Sequence, residues 1–468
     1  MFPRNTVSRA VQCVIPALCL LLLCSCASPL TGPENLIRAP KLTGENAAIQ
    51  KAFEESVDAG AKLCAPSAGQ YRSAFVRYDY DLDGVEEALA FYTAADAPLL
   101  CRVNFLDEDP SDGWRSVADV AGEGAEVYET DFVDLDADGV LEIVVGWAQS
   151  DSPSDCVMSV YALEKTAVSF TISEAMTRRY AAKLFVDIDS DRRREIVVCD
   201  YDRTVAESSF YCEVLKLKKI GDGKKVEKVG SARLSPDISS ILGFATDTSD
   251  GKFRIYIDAV STGGRYFTDI AVYDGSEKEF SVPSELNGVS LVLLTARSIP
   301  LLCADTDSDG RVEVPRFTYV SRGTGDDRQL TELYMPSVFT GDGFEAEDTY
   351  FVNYTAHYIF RIPPILLENS DISYSVDMSR LEFYSDDYLE RPLLFISSAN
   401  IGEESSGGLP EPEANEKRGF LSFGESRLMI SVFSAGESIG LTRGMIEDAI
   451  ENLDDGSPII AAQRAVRS

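Results

Sequence analysis

Histidine is almost missing from this chain: of 468 residues, His357 is the only one. It lies in Tyr-Thr-Ala-His357-Tyr-Ile-Phe, a run that reads as strand, where a structural role is expected. A Ser-His-Asp or Cys-His mechanism would have that one base to draw on, with no nucleophile motif beside it. The HExxH zinc motif, paired CxxC, the P-loop and the dinucleotide-binding glycine fingerprint are missing as well. Basic residues are scarce, 43 Lys and Arg against 77 Asp and Glu, for a formal net charge of −34. That balance excludes nucleic acid and an anionic lipid surface as partners. What these absences leave open is carboxylate chemistry, since a glycosidase or lyase needs only acids, or an acid with Ca²⁺, Lys or Arg. With so many acids, no catalytic pair can be picked from the sequence.

What the chain has instead is an acidic loop that repeats. Residues Phe132 to Trp147 read FVDLDADGVLEIVVGW. Asp134, Asp136 and Asp138 alternate, so in a tight loop their carboxylates converge on one side. Gly139 follows where such a loop turns sharply and φ > 0 is needed. The carbonyl of Val140 and the carboxylate of Glu142 complete an all-oxygen shell, the ligand set that suits a hard cation such as Ca²⁺. Leu141 to Val145 then form a short apolar run, which reads as a strand covered on both faces. The spacing resembles the start of an EF-hand, but the closing acid comes nine residues in and no helices flank the loop.

The same pattern recurs. Asp79, Asp81, Asp83, the Val85 carbonyl and Glu87 precede Ala88 to Phe91. Asp187, Asp189, Asp191, the Arg193 carbonyl and Glu195 precede Ile196 to Val198, with Arg192 in the glycine position. Asp305, Asp307, Asp309, the Arg311 carbonyl and Glu313 precede Val314. The first aspartates stand at 79, 134, 187 and 305, at intervals of 55, 53 and 118. The last interval is two periods of 59, which places a further copy near 246. There Thr246-Asp247-Thr248-Ser249-Asp250-Gly251 keeps the turn glycine and the strand, but Arg254 replaces the closing acid. This copy reads as a repeat that kept its fold and lost its ion.

A period in the fifties with about four strands per unit is the pattern of a β-propeller. The DxDxDGxxE loop running into a hydrophobic strand resembles the FG-GAP/VCBS family over roughly residues 71–320, in which such loops bind Ca²⁺ inside propeller blades. The resemblance implies structural Ca²⁺ at the loops starting at Asp79, Asp134, Asp187 and Asp305. The expected fold is all-β: a propeller of six or seven blades, about 53–59 residues each, over residues 61–400, with a helix before it and a small α+β segment after it.

Flanking segments give the address. Arg4 and Arg9 precede an apolar run from Val11 to Leu23, of signal-peptide length and too short to span a bilayer. Leu23-Cys24-Ser25-Cys26-Ala27 resembles a bacterial lipobox, which implies that residues 1–25 are removed and Cys26 carries the lipid. Two acyl chains anchor a protein stably. Residues 26–44 read as a tether and 45–60 as a capping helix with Ala48, Ile49, Ala52, Phe53 and Val57 on one stripe. The stretch LIRAPKLTGENAAIQKAF is similar to the start of clostridial VCBS-type lipoproteins. Residues 401–418 read as an acidic flexible loop, and 419–468 as two strands and a helix over Leu441 to Leu453. Cys64, Cys101, Cys156, Cys199, Cys212 and Cys303 either pair outside the cytoplasm or stay free and buried. Cys199 and Cys212 bracket one hairpin and are the best-placed pair. The functional expectation is a monomeric, membrane-anchored, extracytoplasmic lipoprotein whose calcium-stabilised propeller binds a protein or glycan, with a carbohydrate-active enzyme as the alternative.

Overall fold

The computed structural model describes residues 45–453, apart from 110–112, 150–154, 166–169, 202–208, 222, 323–328, 347, 376–378, 387–390, 400–414 and 424–425. The expected signal segment, the tether and Cys26 lie outside the described residues, as does most of the acidic loop. The fold is all-β: of the described residues 61% are strand and 9% helix, in a series of antiparallel sheets. Among the described residues no helix is long and apolar enough to cross a membrane.

Among the described residues six sheets of four or more strands follow one another along the chain, with a two-stranded sheet of Glu285–Leu286 and Val289–Ser290 between the fourth and the fifth. Sheet 1 pairs Phe75–Tyr78, Glu87–Ala94, Ala97–Asp109 and Gly113–Ala121, with Lys62–Leu63 also lying against the second of these. Sheet 2 pairs Glu126–Val133, Glu142–Ala148, Cys156–Lys165 and Phe170–Tyr180. Sheet 3 pairs Ala182–Val186, Glu195–Tyr201, Ser209–Ile220 and Gly223–Pro236, and sheet 4 pairs Ile238–Ser249, Lys252–Ser261, Tyr266–Asp274 and Glu279–Ser281. Sheet 5 is built on Glu313–Arg322, Gln329–Phe339, Tyr350–Asn353 and Tyr358–Arg361. Sheet 6 pairs Ser370–Ser375, Arg380–Ser385, Pro392–Ala399, Ser426–Phe433 and Glu416–Phe423, in that order.

The continuous apolar runs after each acidic loop explain how neighbouring sheets meet. Side chains alternate across a strand, so a run that is apolar at every position must be buried on both faces. In Glu142–Ala148, Ile143, Val145 and Trp147 enter the core shared with sheet 1, while Val144 enters the core shared with sheet 3. In Glu195–Tyr201, Ile196 and Val198 face back to sheet 2, and Val197 and Cys199 face sheet 4. Ile255 and Ile257 then face sheet 3, while Tyr256 joins Val314 and Phe339 of sheet 5. The expected helix is present as Glu45–Ser56, and Ile49, Ala52 and Phe53 bury Ala88, Ala90 and Tyr92 on the other face of sheet 1.

Residues 416–452 depart from the separate segment that their sequence suggests. Glu416–Phe423 and Ser426–Phe433 complete sheet 6, and Ile450–Asn452 pairs with Tyr358–Arg361 of sheet 5. The helix expected over Leu441 to Leu453 is confined to Arg443–Asp448, with the Thr442 hydroxyl accepting from Met445 N as its cap. Ile446, Ile450 and Leu453 are buried as a helix would have them, but Met445 is exposed; that apolar spacing suits one helical turn followed by a bridge to a sheet edge. His357 sits in an exposed turn with φ 53°, not in a strand.

The acidic loops occupy one place in the fold. Residues 79–86, 134–141 and 187–194 join the first and second strands of sheets 1–3, and 305–312 are closed by the bridge Ala304–Glu313 before sheet 5. Each turns with two left-handed residues: Leu82 and Gly84, Ala137 and Gly139, Ser190 and Arg192, Ser308 and Gly310. The copy near 246 differs more than the sequence suggests. Its strands stay paired through Thr246–Ile255 to Ser249–Lys252, leaving only Asp250-Gly251, both at positive φ, as a two-residue hairpin turn.

Arg192 holds φ 72° where the other loops have glycine. A side chain in that region costs about 1–3 kcal/mol, against up to about 1 kcal/mol for the extra chain entropy of glycine. Arg192→Gly is therefore expected to stabilise the protein by about 1 kcal/mol, read as a higher urea midpoint. A lower midpoint would mean that the arginine side chain makes compensating contacts.

Candidate metal centres

Each loop is built around one buried glutamate. Glu87, Glu142, Glu195 and Glu313 open the strand after their loops and are 2%, 0%, 1% and 5% exposed. One oxygen of each accepts the backbone N–H of the loop's second residue: Tyr80 at 3.0 Å, Leu135 at 3.0 Å, Ile188 at 2.9 Å and Thr306 at 2.6 Å. The first aspartate accepts from the backbone at the turn, as Asp79 does from Asp83 N and Gly84 N and Asp305 from Asp309 N and Gly310 N. These bonds fold the loop over itself and turn the remaining carboxylate oxygens inward.

The convergence differs from loop to loop. Oxygens of Asp79, Asp81, Asp83 and Glu87 lie within 4.8 Å of one another, as do those of Asp134, Asp136 and Glu142, of Asp187, Asp189 and Glu195, and of Asp305, Asp307 and Glu313. Asp138, Asp191 and Asp309 stand outside these clusters. Arg311 turns to Asp309, binding its carboxylate through Nε at 2.7 Å.

Basic side chains that the loop motif does not contain enter two of the sites. Lys224, at the tip of the last hairpin of sheet 3, places Nζ 2.9 Å from Asp136, 2.7 Å from Asp138 and 2.9 Å from Glu142. Lys216, on the strand facing Glu195, lies 3.0 Å from Asp189, 2.7 Å from Asp191 and 2.9 Å from Glu195. Burial lowers the affinity of each ammonium for its proton, but the three carboxylates outweigh it and leave both lysines above their ordinary value. In sheet 4, buried Arg254 stands in for the glutamate and approaches Asp247 at 3.6 Å and Asp250 at 3.7 Å. At the first loop Lys165 comes only to 3.7 Å from Asp81. No basic group is hydrogen-bonded to Glu313, whose second oxygen is buried without a partner among the described residues.

These donor sets fit a hard divalent cation best at Asp79 and Asp305. All ligands there are oxygens, and buried carboxylate charge is left uncompensated. Burial, with Asp81, Asp79 and Asp83 adding repulsion against the pull of the Tyr80 N–H, raises Glu87 to about 8. Burial also raises Glu142, to about 7, although the Leu135 N–H and Lys224 both oppose it.

Among the described residues none of the six cysteines is joined to another in a disulfide. Cys199 faces Cys212 across adjacent strands, both fully buried. A second pair, which the sequence does not suggest, is Cys64 and Cys101, with sulfurs 3.0 Å apart.

No protein-family model matches the chain, and no curated protein matches it. Among solved structures it is similar to Chaetomium thermophilum Sqt1, in a crystal structure bound to the N-terminus of the ribosomal protein L10. The two are 12% identical with a TM-score of 0.34, over 77% of this chain and 96% of that one. That likeness is too slight to carry an argument about fold or function.

A raised glutamate fixes the sign of a pH effect in the metal-free protein. Glu87 moves from an ordinary 4.5 up to about 8 on folding. Its contribution is complete below about pH 4.5 and is lost as pH rises through about 8. In EDTA the melting temperature should therefore fall between about pH 5 and pH 8, and Ca²⁺ at about 1 mM should reverse the fall. A melting temperature insensitive to both pH and Ca²⁺ would mean that solvent alone satisfies these loops.

Proposed function

We propose that this chain is a calcium-stabilised β-propeller of the FG-GAP/VCBS kind, anchored at the cell surface through Cys26, that binds a protein or glycan ligand. The observation that carries the reading is the repeated unit: an acidic loop, a buried glutamate held by a loop N–H, and a second strand buried on both faces. Loops that bind metal at that point pin the turn into the most buried strand of each blade, which is a structural use of the ion. The six sheets supply the blades; their joining into a ring is part of the proposal.

For a ligand, the reading favours the cleft between sheets 5 and 6. It encloses about 260 Å³ and is lined by Phe317, Tyr334, Phe351, Tyr354 and Tyr374, with Glu332 at its edge. Tyr354 is half exposed there. Aromatic faces beside a few polar groups suit the apolar faces and hydroxyls of a sugar, or an aromatic anchor of a protein partner. One observation supports the alternative of a carbohydrate-active enzyme: a cavity of about 210 Å³ brings Asp189, Glu195, Lys216, Tyr273 and Lys278 together. Lys216 is committed there to three carboxylates, so binding remains the stronger reading.

Two experiments test this. Glycan arrays and depolymerisation assays on the purified protein should show capture without turnover, and Tyr354→Ala should weaken capture at least tenfold while leaving the melting temperature unchanged. Release of sugar fragments would overturn the binding reading in favour of the enzyme. Separately, Cys26→Ala should leave the protein unprocessed or move it out of the membrane fraction. Normal processing with full membrane retention would remove the lipid anchor from the proposal.

A further inference from the structure

The acidic loops of sheets 2 and 3 carry the metal motif as fully as their neighbours do, yet we infer that Lys224 and Lys216 are their resident cations and that divalent metal is taken up only at the loops beginning at Asp79 and Asp305. The inference rests on the calcium reading above and narrows it. An ammonium has three N–H donors and no acceptor. Lys224 meets three different carboxylates, those of Asp136, Asp138 and Glu142, all within 2.9 Å. Lys216 does the same with Asp189, Asp191 and Glu195, within 3.0 Å. In both loops these are the third, fifth and ninth positions, which a metal would have to gather.

Nothing in the geometry lets ammonium and metal share the site. A divalent ion among these oxygens would stand against a like charge, and the lysine would have to leave a buried position. Lys224 is 7% exposed and Lys216 12% exposed at the side chain, so each is packed into place and not swung in from solvent. Sheet 4 shows the same substitution by another route, with the Arg254 guanidinium beside Asp247 and Asp250. Three successive sheets thus supply their own positive charge. The contrast is the loop at Asp305: Glu313 is 5% exposed, its second oxygen is without a hydrogen bond, and no lysine or arginine pairs with it among the described residues, whereas Glu142 and Glu195 each have one. Lys224 also does what a metal held within one loop does not, because it comes from sheet 3 to a loop of sheet 2.

Counting bound Ca²⁺ per chain by native mass spectrometry and titration calorimetry tests the assignment. Asp136→Asn should leave the count unchanged, whereas Glu313→Gln should lower it by one. Lys224→Met should raise it by one, as should Lys216→Met, in variants whose circular dichroism matches the parent. Loss of one equivalent in D136N would overturn the inference, and so would a folded K224M or K216M that gains none. If the parent binds no Ca²⁺ and E313Q changes nothing, the calcium reading fails; a gain in K224M would still uphold the lysine as the occupant.

Discussion

A carboxylate buried at the start of a strand needs a positive charge beside it, and this fold places one in four of its sheets. Glu87, Glu142, Glu195 and Glu313 each hold a loop N–H with one oxygen. That bond, joined at Glu313 by one from the Thr306 hydroxyl, sets the loop against the strand, but neutral donors alone do not compensate a charge taken out of water. The requirement explains the composition locally. Aspartates gathered around the glutamate repel one another, and the repulsion is relieved either by a cation among them or by a proton on the buried glutamate, as the rise of Glu87 to about 8 shows.

The protein meets this requirement with chemically different groups. Lys224 crosses from the neighbouring sheet, Lys216 reaches over from the facing strand, and Arg254 takes the glutamate's own place. A covalently attached cation is always present at its site, so the loop's stability no longer depends on the surroundings. It also commits the loop: taking one partner out of a buried pair costs about 3–5 kcal/mol. The sheet 4 loop, once its glutamate is an arginine, has contracted to a two-residue turn with its strands paired to the end. Without an ion to enclose, there is nothing for the longer loop to wrap.

How much of this can be read from the sequence depends on distance along the chain. The loops, their turn residues and the strands after them follow from spacing within sixteen residues, because 3.8 Å steps and a left-handed turn leave few arrangements. The period and the altered copy at 246 are legible for the same reason. The lysines are not: Lys224 lies 82 residues from Glu142, and only the packing of sheet 3 on sheet 2 brings them together. The Arg254 substitution stands in the motif itself and could be seen. The carboxy-terminal strands read locally as a unit of their own, since strand partners separated by some ninety residues, as Tyr358 and Asn452 are, leave no local pattern. The contact of Cys64 with Cys101 leaves no sequence signal for a related reason, since it depends on how Lys62–Leu63 lies against sheet 1.

Sheets 2, 3 and 4 carry their own cations, and the loops that do not belong to sheets 1 and 5, at either end of that run. On the calcium reading, loss of the ion loosens the flanks and leaves the middle intact, since each sheet is held mainly by the cores it shares with its neighbours. Sheet 5 is the flank that carries the aromatic cleft. Its strand Glu313–Arg322 begins with the buried glutamate and carries Phe317, part of the aromatic cleft, four residues on. The loop and the cleft thus meet on one strand, whose register is set by its pairing with Gln329–Phe339. Should the cleft hold a ligand and the loop an ion, as proposed, both would act on the one strand Glu313–Arg322.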